Sequence, residues 1–272
     1  MNLETLEAAQ ASTPTMSSQL KAGLSVLHRD VTVTAHELPA FLAQVILQPL
    51  FLLFVFGKVL GSLGYTQGNY AQLLFPGLVA LTVVMTGMQS LAFPLVAEFG
   101  WTMEIEDRLL APMPHWLVAA EKVVFATMRA LVAALIMIPV GIVVLGGIPW
   151  RWEGFPLFVG MLLFGAVLGS SIGMVVGTLV TPTKINIVFS LIFTPLLFTG
   201  CSQYPWPSLS RIRWFQILTA ANPMTYVSEG LRAAMVPYVP HMPAWVCLAA
   251  LAGWVPALLL VGRAGFRRRT VL

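Results

Sequence analysis

The sequence predicts an all-α integral membrane protein. Six transmembrane helices follow an N-terminal interfacial amphipathic helix, and a re-entrant helical hairpin separates the fifth span from the sixth. Three observations carry this reading. Hydrophobic residues make up 58% of the 272 and charged residues only 10%, with a mean hydropathy of +0.84, whereas a soluble domain carries about 25% charged residues. Six segments are apolar over the roughly 20 residues that a spanning helix needs. The basic residues are distributed unevenly between the two sides that those segments define. With the bilayer as the main solvent, the length does not imply two globular domains.

Residues 1–17, MNLETLEAAQASTPTMS, carry Glu4 and Glu7 and no basic residue. They read as a disordered cytoplasmic tail, not as a signal peptide with its cationic start and apolar run. Residues 18–38 form the amphipathic helix. Leu20, Leu24, Leu27 and Val31 recur at helical spacing, and Lys21, Ser25, His28 and Arg29 take the other side, as in a helix lying at the membrane surface. The six-span domain covers 39–263, with spans at 39–60, 71–97, 116–145, 155–181, 185–201 and 243–263. An even number of spans puts both ends on one side. With that side cytoplasmic, ten basic residues lie inside and five outside, as the positive-inside rule prefers. The tail at 264–272, which holds Arg267, Arg268 and Arg269, votes most strongly.

Within the fourth span Gly165, Gly169, Gly173 and Gly177 recur every fourth residue. Such a stripe of small residues lets another helix approach closely; it leaves open whether that helix belongs to the same chain. Residues 202–240 are too long and aromatic for a simple loop and too polar to span. Trp206, Trp214, Tyr204 and Tyr226 suit a membrane interface. Asn222 and Pro223 mark a helix start, since Asn caps free N–H groups and Pro at the first position has none to lose. Glu229 and Arg232 stand at i and i+3, where they can pair, and Pro237 and Pro240 close the helix. The segment reads as two short helices dipping into the outer leaflet, which protein or a water-filled cavity must surround. Cys201 and Cys247 are either two buried thiols or an outer bridge.

No nucleotide-binding G-x-x-x-x-G-K-[ST] loop, H-E-x-x-H or paired-cysteine motif occurs, and His28, His36, His115 and His241 are scattered. No catalytic constellation, metal site or cofactor site is predicted, and a net charge of +4 gives no reason to expect nucleic acid. One strip stands out. EFGWTMEIEDRLLAPMP at 98–114 holds five of the chain's 26 charged residues. Thr102 can cap a short helix there, Glu104 and Glu106 favour its first turn, and Pro112 and Pro114 stop it.

Two segments resemble the ABC-2 type permeases, the membrane subunits of one class of ABC exporters. The first is the strip, where Glu98, Thr102, Glu104, Leu109, Leu110 and Pro112 match the family pattern and Trp101 replaces its usual glycine. The second comprises Phe198, Gly200, Pro205, Asn222, Pro223, Met224, Thr225, Tyr226 and Arg232. Length and style resemble the daunorubicin-resistance and nodulation-export branch. The resemblance implies two permease subunits, identical or related, in the cell's inner membrane. It also implies two copies of a separate ATPase that bind ATP and Mg on the cytoplasmic side. The strip would then be a coupling helix, with Glu98, Thr102, Glu104, Glu106, Asp107, Leu109, Leu110 and Pro112 as its contact residues. Asn222, Pro223, Tyr226, Glu229 and Arg232 would form an outer gate. Moving a pathway from 1:99 to 99:1 requires about 5.5 kcal/mol of differential binding, which this chain has no means of supplying alone.

Two polar rows are candidate cargo contacts. Thr82, Thr86, Gln89 and Ser90 share a face of the second span, and Asn186, Ser190 and Thr194 share a face of the fifth. Polar side chains within spans face the bundle or a cavity, as helix glue or as cargo contacts. Their sparse, uncharged character implies an amphipathic cargo: a drug, a lipid or a lipid-linked glycan. Arg129, inside the third span, either pairs with Glu121 or Glu98 or snorkels to the headgroups. Two other readings stay open, an ion-coupled carrier and a non-transporting assembly subunit of a membrane complex.

Overall fold

A computed structural model of the chain describes residues 25, 27, 29–32, 41, 43, 45–64, 70–100, 114–148 and 152–271. The predicted tail at 1–17, most of the amphipathic helix and residues 101–113 of the strip lie outside the described residues. So do the coupling positions Thr102, Glu104, Glu106, Asp107, Leu109, Leu110 and Pro112.

The described residues are helical without a strand, and six helices are long and apolar enough to cross a membrane. We number the helices α1 (Val45–Ser62), α2 (Tyr70–Gly100), α3 (His115–Leu145), α4 (Phe155–Leu179), α5 (Ile185–Thr199), α6 (Arg213–Ala220), α7 (Pro223–Met235) and α8 (Ala244–Val271). α1 to α5 and α8 coincide with the six predicted spans, with ends shifted by up to eight residues; the largest shift is in α8, which continues to Val271 through most of the predicted tail. α5 has only 15 residues and reaches spanning length by joining the 3-10 turn Pro182–Lys184. Its 18 residues then extend roughly 27 Å at 1.5 Å per residue.

Local chemistry sets the ends. Pro114 takes an extended backbone, and α3 begins at the next residue. Gly146 closes α3 in the left-handed conformation (φ 75°), its N–H bonded to the Ile142 carbonyl at 2.9 Å. A side chain other than glycine resists that φ.

α2 is the central helix. Leu74, Phe75, Leu78, Val79, Val83, Val84, Met88 and Leu95 are completely buried along it. Its main partner is α4, and the glycine stripe is the reason. A Cβ on Gly169 would run into the Val84 carbonyl, and one on Gly173 would stand 2.6 Å from the Met88 carbonyl. Gly165 and Gly177 press on Val83 and Leu95. The fit is reciprocal, because a Cβ on Gly87 of α2 would lie 2.9 Å from the Ser170 amide. The stripe's partner is therefore a helix of the same chain. In lipid no hydrophobic force drives helices together, so close contact between backbones supplies the attraction.

α3 packs on the other side of α2 and joins α4 through Thr127 and Ser170, whose hydroxyls lie 3.2 Å apart. α8 lies along α4, and α7 wedges among α2, α4 and α8 near the start of α2. α1 and α5 sit at the edges. Phe51 and Phe54 on α1, and Ile187 and Leu191 on α5, remain exposed.

Substituting Gly169 by Val should lower the stability of the purified protein by about 1–3 kcal/mol, the usual cost of overpacking, and depress its thermal transition. Gly160→Ala, where an added Cβ meets nothing within 4 Å, should leave the transition unchanged or raise it.

Candidate functional site

Among the described residues the buried charged groups lie at the two ends of α2. At the Tyr70 end, α7 carries Thr225, Ser228, Glu229 and Arg232, all with no exposed surface. Asn222 caps α7 by accepting the Met224 N–H at 2.9 Å, with Pro223 at the first helical position. Its side-chain amide also donates to the Thr199 hydroxyl at 2.9 Å, which ties the start of α7 to the end of α5. Ser228 donates to the Gly200 carbonyl at 2.8 Å and Tyr226 to the Ala220 carbonyl at 2.7 Å.

Glu229 and Arg232 form an ion pair that is wholly enclosed. The remaining valences of Glu229 are filled from two other segments. The Trp206 N–H donates to Oε1 at 3.0 Å and the Met242 N–H to Oε2 at 2.8 Å. Arg232 Nη2 donates to the Cys201 carbonyl at 2.9 Å. One carboxylate thus joins the loop after α5, α7 itself and the approach to α8. Burial pushes the Arg232 pKa below its ordinary value, and the Glu229 carboxylate opposes that shift. Cys201 holds a left-handed backbone (φ 50°), uncommon for a residue with a side chain. Its thiol is pushed up to about 11 by burial first and by the Glu229 charge second. Both cysteines are free and buried.

At the Gly100 end Glu98 is buried and accepts from Lys122 of α3 at 2.6 Å. Glu98 is therefore an internal anchor at the root of the strip, and its charge is already taken by Lys122; it does not present an outward docking charge. The Arg129 guanidinium lies over the Phe41 ring at 4.1 Å. Arg269 of α8 donates to the carbonyls of Gly177, Thr178 and Val180 at 3.1 to 3.3 Å and so finishes the end of α4.

The two polar rows are not brought together. Thr82, Thr86 and Gln89 face α1, where with Gln48 they enclose about 40 Å³. That is the scale of a water molecule and far below the 300–1,000 Å³ of a ligand pocket. Thr82 returns its hydroxyl to the Leu78 carbonyl at 2.8 Å, while Ser90 borders a separate small cavity beside Glu98 and Lys122. The α5 row is different. Asn186, Ser190 and Thr194 are all exposed on the outer side of the helix. The link between α5 and α2 is aromatic: Phe93 meets Phe189 at 5.1 Å, and Phe189 stacks on Phe193 at 5.7 Å.

Sequence reasoning found Asn222, Pro223 and the Glu229–Arg232 pair but missed their enclosure and the main-chain donors from Trp206 and Met242. The spacing of Thr225, Ser228, Glu229 and Arg232, at i, i+3, i+4 and i+7, marks a continuous polar face and was the available signal. Lys122 as the partner of Glu98 carried none, since 24 residues separate them. Among the described residues, no three His, Cys, Asp or Glu side chains gather where they could hold a metal.

The family model of the ABC-2 type transporters matches residues 24–236, which include both polar centres and five of the six spans. The chain belongs to that family. It is also 27% identical over 223 residues to ycf38 of Cyanophora paradoxa, a protein named as a transport permease, covering 77% of this chain and 72% of that protein. The ABC-2 chain is thus a multi-pass transport permease, a transmembrane transporter subunit that is not itself catalytic.

Glu229→Gln removes the counter-charge of a sealed guanidinium and should cost about 3–5 kcal/mol, read as a lowered thermal transition. It should also expose Cys201 to maleimide at pH 8, where the native thiol is neutral, buried and unreactive. The double variant E229L/R232M, which leaves no stranded charge, should recover most of the loss.

Proposed function

We propose that this permease works in an ATP-driven exporter beside a second permease subunit, identical or related. Two ATPase subunits that bind ATP and Mg would drive it. Its cargo is amphipathic: a drug, a lipid or a lipid-linked glycan, moved out of the cytoplasm or inner leaflet. The placement in the daunorubicin-resistance and nodulation-export branch is part of the same reading.

The observation that carries it is the uncovered row on α5. Asn186, Ser190 and Thr194 are exposed on a helix whose neighbouring positions, Ile187 and Leu191, are more than 70% exposed. Polar side chains in spans turn away from lipid, toward protein or water. The row therefore needs a second subunit, a hydrated pathway, or both in turn. Apolar residues flanking a short polar row suit a cargo with one greasy and one polar part.

The orientation in the membrane follows from the two ends, and the outward direction of movement rests on the family resemblance alone. The Gly100 end gathers Lys122, Lys184, Arg263, Arg267, Arg268 and Arg269, which favours the cytoplasm, and both termini go with it. The strip at 98–114 emerges there. Glu98 roots it through Lys122, and Glu104, Glu106 and Asp107 are left to meet a basic groove on the ATPase, with Leu109, Leu110 and Pro112 holding its shape. Opposite charges across such a contact set partner choice and register. At the other end the α7 hairpin, re-entrant from the outer surface, is the outer gate: Asn222, Pro223, Tyr226, Glu229 and Arg232 hold it shut. The α2 row, with Thr82 and Thr86 turned toward α1, serves helix contact in this conformation.

Charge reversal at Glu104 and Glu106 together should cut the ATPase retained on the purified permease at least about tenfold, with insertion and size-exclusion profile unchanged. Ser190→Trp should abolish ATP-dependent cargo movement while ATPase retention stays normal. Full retention and transport in these variants would refute the assignments of strip and row respectively.

A further inference from the structure

α3 and α8 meet α4 along its length but barely touch each other, and at the Gly100 end they leave a cleft between them. It has a volume of about 560 Å³, within the range of ligand pockets. Its walls are Ala119, Ala120, Val123 and Val124 from α3, Met174 from α4 and Leu259 from α8. From Trp116 to Val124 the wall runs roughly 12 Å down the helix. At the mouth stand Trp116 and Arg263, and a second cavity of about 220 Å³ shares both and adds Arg267. Among the described residues no acid lines either cavity.

The arginines at this end of α8 divide by role. Arg269 is spent on the end of α4 and on the face of Phe99. Arg263 is exposed, and among the described residues no carboxylate pairs with it. It projects beside an apolar groove, one turn from Arg267, with an interfacial tryptophan opposite. A soluble anion would leave the groove wetted, and a neutral lipid would leave the Arg263 charge unanswered. Only a molecule with an acyl chain and an anionic headgroup satisfies both surfaces. Basic pockets between helices at a membrane surface are built for such headgroups.

We propose that this cleft is a binding site for an anionic glycerophospholipid. The headgroup phosphate is held between Arg263 and Arg267, and an acyl chain lies in the groove of α3, α4 and α8. The site lies apart from the α5 row, so the lipid is a bound companion of the permease and not its cargo. Only the choice of leaflet, the cytoplasmic one, rests on the orientation given above.

The test is equilibrium binding to the purified permease in zwitterionic micelles, without ATP or ATPase, so that it can fail or succeed independently of transport. Phosphatidylglycerol and phosphatidylcholine of matched acyl chains are offered, and retained lipid is counted by native mass spectrometry. Phosphatidylglycerol should be preferred, and R263Q/R267Q should cut that preference by roughly thirtyfold, about fivefold for each arginine. Arg268→Gln, exposed and outside the cleft, should change nothing. Ala120→Trp, which fills the groove and leaves both arginines, should also displace phosphatidylglycerol, so the proposal survives a poorly folded arginine variant. Equal retention of the two lipids, an unchanged preference in R263Q/R267Q, or equal competition by glycerol 3-phosphate would overturn it.

Discussion

The enclosed pair of Glu229 and Arg232 is the interaction on which the Tyr70 end of the bundle depends. Sealing two charges away from water costs several kcal/mol for each, and their attraction repays that only with further hydrogen bonds to the pair. Here Glu229 draws in the Trp206 and Met242 amides and Arg232 draws in the Cys201 carbonyl, which leaves only the Arg232 Nε without a partner within the pair. Meeting these demands folds residues 201–243 back between α2, α4 and α8. An apolar pair of the same size would pack as well, but it would not dictate which three segments meet.

That constraint divides the bundle into a firm part and a loose part. α2 and α4 lie backbone to backbone along the glycine stripe, with α7 wedged at one end and the Glu98–Lys122 pair fastening α2 to α3 at the other. Interiors packed to this density transmit displacement. α1 and α5 hang on the firm part by few contacts and leave Phe51, Phe54, Ile187 and Leu191 among their exposed apolar side chains. A push delivered at the root of the strip reaches α2 and α3 directly through Glu98 and Lys122. Of the two loosely held helices, α5 is the one that bears the uncovered polar row. The cleft between α3 and α8 lies on the opposite flank, where a bound lipid would bear on the same firm core without obstructing α5.

How much of this could be read from the sequence depended on the range of the physics involved. Six spans follow from local apolarity, and the cap of α7 follows from two adjacent residues, Asn222 and Pro223. The glycine register announced a close helix contact, but a stripe says nothing about its partner; only the reciprocal fit of Gly87 against Ser170 identifies α2. The polar rows show the limit most clearly. Thr82 and Thr86 look like Asn186 and Ser190 in sequence, each a short row in a greasy helix. Folding turns the first row onto α1 and leaves the second uncovered, because α5 has few neighbours. Glu98 was legible as part of the strip, yet its burial depends on Lys122, 24 residues away. Long-range pairing of that kind leaves no local trace.

The most direct test of the account is the environment of Ser190 during turnover. A Ser190→Cys permease, with Cys201 and Cys247 buried, would be reconstituted with its ATPase and labelled with a membrane-impermeant maleimide, with and without ATP. The account predicts that the position reacts from water and that ATP changes the rate several-fold, while a lipid-phase quencher on an attached label has little effect. Strong quenching from lipid, no reaction from water and no response to ATP would show that α5 simply faces the bilayer, and would contradict the account.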